Sequence, residues 1–188
     1  MQQRHINSRI TVIQAYAPIE DTEEADKDAF YDQLQDALDD APHHDLVLLT
    51  GDFNAKSTRN QQGYEHVISP NGTATDTSSN SERLVSFCST NGLVIGNTYF
   101  EQKWIYKEMW RSPDGRTFNE VDYVCTSKRW KSTLLDMRTC RGADVGSDHY
   151  LLLMKYRLRL RCLPLVQSRP RPFAVEKFKD RRTVDQFQ

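Results

Sequence analysis

The stretch that most constrains this chain is Leu46 to Ala55, LVLLTGDFNA. Four consecutive large aliphatic or β-branched residues suit a strand buried on both faces, in the middle of an α/β sheet. The chemistry of such a strand lies at its C-terminal end, where Gly51 allows a sharp backbone turn. Asp52 and Asn54 follow two apart, so in extended backbone both side chains point the same way into the crevice above the sheet. Asp, Gly and Asn also favour plain turns, and for GDFN alone that reading is equally open. Two downstream sites weigh against it. Asp122 follows a β-rich stretch in FNEVDYVC, and Asp148 and His149 stand together in GSDHYLLLMKY. Asp, Asn and His at three strand edges are what metal-assisted hydrolysis of a phosphodiester requires.

The rest of the chain supplies scaffolding. Ser8 to Tyr16 is β-branched and alternating, a strand that ends before Pro18. Asp21 and Glu24 have capping-box spacing, and Phe30, Leu34, Ala37, Leu38 and Ala41 recur at helical intervals, so a helix is expected over about Thr22 to Asp40. Ser57 to Ser81 is rich in Ser, Thr, Asn and Gly and reads as a long surface loop. Asn80 or Ser81 can cap a helix running through Asn91, with Gly92 placed to end it. Leu93 to Ile95 is a short strand. Trp104 to Trp110 and Thr117 to Thr126 read as a hairpin around Ser112 to Gly115, delivering Asp122 to the crevice, with Arg111 and Arg116 near the turn within reach of a nucleic-acid backbone. Leu134 to Arg138 and Tyr150 to Leu160 add two strands, the second an edge strand with one charged face.

The 188 residues suit one domain with a real core. No apolar run is long enough to span a membrane or to act as a signal peptide, so an intracellular protein without a membrane partner is expected. Cys88, Cys125, Cys140 and Cys162 are scattered singly and suggest neither a zinc site nor a disulfide framework. The net charge of −1 averages two unlike parts. From Lys155 to Gln188 ten Lys or Arg face three acids, a net +7 that leaves −8 on the preceding residues. Prolines and the lack of interleaved aromatics make this tail read as a basic linker rather than a dedicated DNA-binding arm.

GDFN, VDY and SDH, in this order, resemble the endonuclease/exonuclease/phosphatase superfamily. QAYAP at Gln14 to Pro18, GDFNAK, ERLVSFC, NGLVIGNT, MWRSPDGRTFNEVDYVC, RGADVGSDHYLL and the tail VEKFKDRRTVDQFQ are similar, in more detail, to the endonuclease region of RTE-type non-LTR retrotransposons. The resemblance implies an α/β (α+β) fold: a DNase I-like two-sheet sandwich flanked by helices, with its N-terminal strands missing. Residues 1–160 would form the partial endonuclease domain and 161–188 the linker. It implies Mg²⁺ or Mn²⁺ as cofactor, DNA as partner and a nuclear location. By resemblance Asp52 orients or deprotonates the attacking water, Asn54 holds that water or a phosphate oxygen, and His149 stabilises charge on the phosphoryl group. Asp122 pairs with His149, Asp148 is a metal ligand, and Tyr16 approaches the scissile phosphate. The family's metal-binding Glu lies on a strand before the first residue here; Glu101 and Glu120 do not match its motif. Three readings follow: a DNA endonuclease impaired by loss of that Glu, an inactive retrotransposon-derived remnant, and a small-molecule or lipid phosphoesterase. Against the third, WRSPDGRTFNEVDY lacks the WCDR-type signature of phosphoinositide phosphatases.

Overall fold

A computed structural model describes residues 4–5, 9–56, 62–74, 77–112, 114–143, 146–158 and 162–163. They fall into two units. In one, β1 (Arg4–His5) pairs antiparallel with the last strand, Cys162–Leu163. The other, Asn7–Arg159, carries everything that follows. Of the basic tail, residues 164–188 lie outside the described residues.

The expected buried strand is present as β3 (Leu46–Asp52), with Leu46 to Leu49 all buried. It sits inside a four-stranded sheet beside β2 (Ile10–Tyr16), which pairs with it in parallel. On its other side β7 (Asp122–Ser127) runs antiparallel and in turn pairs with β4 (Leu93–Ile95), giving the order β2-β3-β7-β4. Alternate side chains of β3 and β7 therefore feed two cores. On one face Leu49, Tyr123 and Cys125 pack with Leu34 of α1 (Glu24–Asp39) and Leu84 and Cys88 of α2 (Ser79–Thr90). On the other, Leu46, Leu48 and Val124 meet Leu134, Met137, Leu152 and Met154. Those last residues come from β8 (Leu134–Cys140) and β9 (Leu151–Tyr156), a separate antiparallel pair. The result is a sandwich of two sheets, with helices on the outer face of the larger one, as expected from the resemblance.

Three local expectations need correction. Helix α1 starts at Glu24, and its N-cap, Glu23, makes no side-chain cap bond, so Asp21 and Glu24 form no capping box. Helix α2 is capped by Ser78, whose hydroxyl accepts from the Ser81 amide, rather than by Asn80 or Ser81. Trp104 to Trp110 is not one strand: Trp104–Tyr106 is a 3₁₀ turn, and only β5 (Trp110–Arg111) pairs with β6 (Phe118–Asn119). The intervening Lys107 and Glu108 are buried and held by distant partners, the carbonyl of Asn71 and Arg141 respectively, which fixes a compact turn where local pattern suggested extension. Likewise the stretch Thr117 to Thr126 is divided, β6 serving the hairpin and β7 the central sheet.

Candidate active site

The site is built at the C-terminal end of β3. Parallel pairing sets Tyr16 beside Asp52, and antiparallel pairing sets Asp122 opposite Asp52. Residues directly opposite in a ladder share a face, so register alone delivers both carboxylates to one crevice. Gly51 makes the turn possible. Its φ is +143°, and a Cβ there would lie 1.8 Å from the Ala15 carbonyl oxygen. Asn97, just beyond β4, holds the carboxylate-bearing strand from the other edge, donating to the Asp122 carbonyl at 2.8 Å and accepting from the Val124 amide at 3.0 Å. Its side chain thereby extends the ladder that β4 leaves at Ile95.

His149 arrives on the loop before β9, bridged to Trp110 of β5. Its Nδ1 lies 2.9 Å from Asp122 Oδ2, and its Nε2 lies 3.9 Å from Asp52 Oδ2. Donor atoms of Asp52, Asp122 and His149 all fall within 4.8 Å of one another. Burial draws the imidazole's pKa down, but the bond to Asp122 and the fields of Asp122, Asp52 and Asp148 outweigh it and leave it above the ordinary value. Burial likewise raises the Asp52 carboxyl above the usual carboxylate range, opposed by the bond from the Asn54 amide and helped by the negative charge of Asp122. Two half-buried carboxylates and an imidazole thus face one open groove of about 730 Å³, which Tyr16, 73% exposed, also lines.

The other expected residues stand around this cluster. Asn54 has φ +45°, a left-handed conformation that Asn tolerates better than most residues. Its backbone amide donates to Asp52 Oδ1 at 2.8 Å and its carboxamide to the Ala17 carbonyl at 2.8 Å, so it shapes the turn that presents Asp52. Asp148 is exposed and outside the three-residue cluster. Its Oδ2 instead accepts from the Trp110 indole N–H at 2.8 Å, a bond that is the chief cause of its lowered pKa. Arg111 and Arg116 are both exposed on the β5–β6 hairpin; the Arg111 guanidinium lies over Phe118 and against Gly115. Sequence reasoning missed Asn97 and the Trp110 to Asp148 bond. The first had one signal, a polar residue directly after an apolar strand; the second joins residues 38 apart and had none.

The donor set fits a hard divalent cation. Mg²⁺ is commonly held by one or two carboxylates and keeps several waters, and Asp52 and Asp122 present carboxylate oxygens whose mutual repulsion a cation would relieve.

No family model matches the chain. Craniofacial development protein 2 of Bos taurus is 39% identical over 171 residues, which cover 91% of this chain and 28% of that protein. Its counterpart in Tragulus javanicus is 38% identical over 164 residues, covering 87% and 28%. The chain thus spans 28% of the length of the curated relatives it matches. Among solved structures, a 3′ phosphatase from Neisseria bound to product DNA hairpin superposes with TM-score 0.57 at 17% identity, covering 78% of this chain and 61% of that one. An endonuclease/exonuclease/phosphatase family protein from Leptotrichia buccalis gives 0.54 at 16%, covering 82% and 50%. The endonuclease domain of a telomere-specific non-LTR retrotransposon gives 0.52 at 16%, covering 77% and 57%. The fold is that of the endonuclease/exonuclease/phosphatase proteins. In sequence the chain is a relative of craniofacial development protein 2.

Proposed function

We propose that this chain is a metal-dependent phosphodiester hydrolase that cuts DNA, an endonuclease domain of non-LTR retrotransposon ancestry acting in the nucleus. The observation that carries the reading is the cluster of Asp52, Asp122 and His149, with the imidazole fixed by one carboxylate and facing the other. In the bond to Asp122 the Nδ1–H donates, and the carboxylate favours the charged imidazolium, in which Nε2 also carries a proton that can point into the groove. Nε2–H then donates to a non-bridging oxygen of the scissile phosphate, where negative charge grows in the transition state. The 3.9 Å between Nε2 and Asp52 Oδ2 is too long for a hydrogen bond, so Nε2 is not tied to that carboxylate.

Asp52, its basicity raised by burial, accepts a proton from that water. The new oxygen–phosphorus bond forms as the bond to the leaving sugar oxygen breaks, and that oxygen takes up a proton from solvent. Mg²⁺ or Mn²⁺, held by Asp52 and Asp122 with Asp148 near at hand, would supply neutralisation of phosphate charge and a more acidic bound water. Tyr16, which lines the groove, and the exposed hairpin arginines Arg111 and Arg116 would hold the flanking backbone. The open groove, with its exposed tyrosine, suits a polymer better than a small enclosed ligand and argues against a small-molecule phosphoesterase. The likeness to a Neisseria 3′ phosphatase bound to product DNA hairpin and to a retrotransposon endonuclease domain supports DNA as the polymer. Nicking of supercoiled plasmid by the purified chain, abolished by a chelator, tests the proposal.

A further inference from the structure

The end of the sheet opposite the crevice carries a concentration of positive charge that the proposed reaction does not use. β7 runs from Asp122 at the crevice to Ser127 and leads into the 3₁₀ turn Lys128–Thr133, so its six residues, at about 3.3 Å each, put Lys128 about 20 Å from Asp122. Backbone bonds gather other cations at this end. The Lys128 amide donates to the Gly92 carbonyl, the Leu46 amide to the Arg9 carbonyl and the Arg157 amide to the Thr133 carbonyl. The Arg129 guanidinium donates to the carbonyls of His43 and His44 at 3.2 and 2.8 Å, and the Lys131 ammonium sits 3.7 Å from the centre of the Tyr99 ring. These partners are neutral. Arg9, Lys128, Arg129, Lys131 and Arg157 are all exposed, and among the described residues none of them has a carboxylate at ion-pair distance. The nearest exposed acids along the chain from His43 are Asp39 and Asp40, at the end of α1. Such a patch stands out on a body whose residues before Lys155 carry a net −8.

We propose that this end is a second nucleic-acid surface, which holds the phosphate backbone of a duplex segment distinct from any in the crevice and does not read its bases. Arg9 and Lys128 adjoin β2 and β7, two strands apart in the sheet, and Arg157 follows β9 of the facing sheet, so the cations span about 10 Å in each direction. Duplex DNA carries one charge per about 1.7 Å of its axis, so about six phosphates fall within that length. Guanidinium and ammonium groups hold phosphate oxygens whatever the base. The aromatic rings that an unstacked single strand would need are covered, Trp130 by Arg129 and the second core and Tyr99 by Lys131. A duplex lying in the crevice does not curl round to this end, because the persistence length of DNA is about 150 base pairs and the separation is only about six of them. The surface therefore takes another segment, and the inference goes beyond the nuclease reading without depending on it.

The test titrates the whole chain with a short DNA duplex in EDTA at low salt by isothermal calorimetry, and maps the bound faces by lysine acetylation and mass spectrometry. Two duplexes are expected per chain, with Lys128 and Lys131 protected. The triple variant Lys128→Ala, Lys131→Ala, Arg157→Ala keeps Arg129 on the His43 and His44 carbonyls and is checked by circular dichroism to be folded; it should bind one duplex. The slope of log K against log salt, summed over both events, becomes shallower by about 2.7, at about 0.9 per lost phosphate contact. Lys128→Ala alone lowers it by about one. One duplex per chain that protects these lysines and is lost in the triple variant keeps this surface and takes DNA away from the crevice, against the nuclease reading. One duplex that leaves the two lysines open, or binding that the triple variant retains in full, overturns the proposal and leaves the nuclease reading untouched. Phosphatidylserine vesicles that bind more tightly than the duplex and protect the same lysines also overturn it, in favour of an acidic lipid surface.

Discussion

Replacing Asp122 by Asn leaves shape and backbone pairing intact while removing the charge that faces His149. The Nδ1 to Oδ2 distance of 2.9 Å, with side chains 31% and 21% exposed, describes a charge-assisted hydrogen bond in a partly wet site. Such bonds contribute about 1.5 to 3 kcal/mol, and allowing for solvent screening leaves about 1 to 1.5 kcal/mol here. With that contribution removed, the imidazole of Asp122→Asn should titrate lower than in the wild-type chain. Proton NMR titration reads this directly, with His149→Gln assigning the resonance among the five histidines. The folded-state pKa of His149 is raised, so the pair stabilises the fold fully below the unfolded-state value of about 6.5. That contribution is lost as pH rises through the folded-state pKa. Asp122→Asn should therefore be destabilised by about 1 kcal/mol near pH 6 and less so at higher pH. An imidazole pKa that does not move on Asp122→Asn would refute the pairing.

Other consequences follow from the same geometry. In Gly51→Ala the new Cβ must retreat from 1.8 Å to at least 3.0 Å from the Ala15 carbonyl, opening β2 from β3 by about 1.2 Å; with the added backbone strain this costs about 3 kcal/mol and misplaces Asp52 enough to lower the rate about 100-fold, read by denaturant melts and nicking assays. The pH dependence of nicking should be bell-shaped, its acid limb above the ordinary carboxylate value because Asp52 must be ionised and its alkaline limb above the ordinary imidazole value because His149 must be protonated; a rate that is flat through both ranges would remove these two groups from the reaction. Strand β2 lies at the sheet edge with Ile10 at 51% and Val12 at 61% exposure, and β9 shows Leu151 at 47%. The isolated chain should associate with rising concentration in sedimentation, and Val12→Lys should weaken this; a wild-type chain that is monomeric throughout would show these surfaces to be self-sufficient.

The central sheet was legible because β3 is apolar on both faces and its polar punctuation falls where the strand ends. Asp52, Asp122 and His149 stood out by motif; ladder register sets the two carboxylates opposite each other, and His149 joins them from the loop before β9. What the sequence hid depends on contacts between distant segments. Trp110 and Asp148 meet only when the hairpin docks on the loop before β9. Lys107 and Glu108 carry no local mark that Asn71 and Arg141 will bury them, so the stretch looked extended. Asn54 was expected to face the water with Asp52, but its left-handed backbone turns the carboxamide to Ala17 instead. Asp148, a metal ligand by resemblance, has one carboxylate oxygen accepting from the Trp110 indole, a contact between distant segments that the sequence does not show.

The most direct measurement is nicking of supercoiled plasmid by the wild-type chain and by His149→Ala, each with millimolar Mg²⁺ and with EDTA. With two carboxylates in the cluster and few preformed metal ligands, the wild-type chain should nick weakly, at a rate that rises through millimolar Mg²⁺ and vanishes with EDTA. His149→Ala should be slower by about two orders of magnitude or more, the scale of losing one donor to the developing phosphoryl charge. Nicking that persists in EDTA, or that His149→Ala performs as well as the wild-type chain, would contradict the assignment of this cluster as the catalytic site.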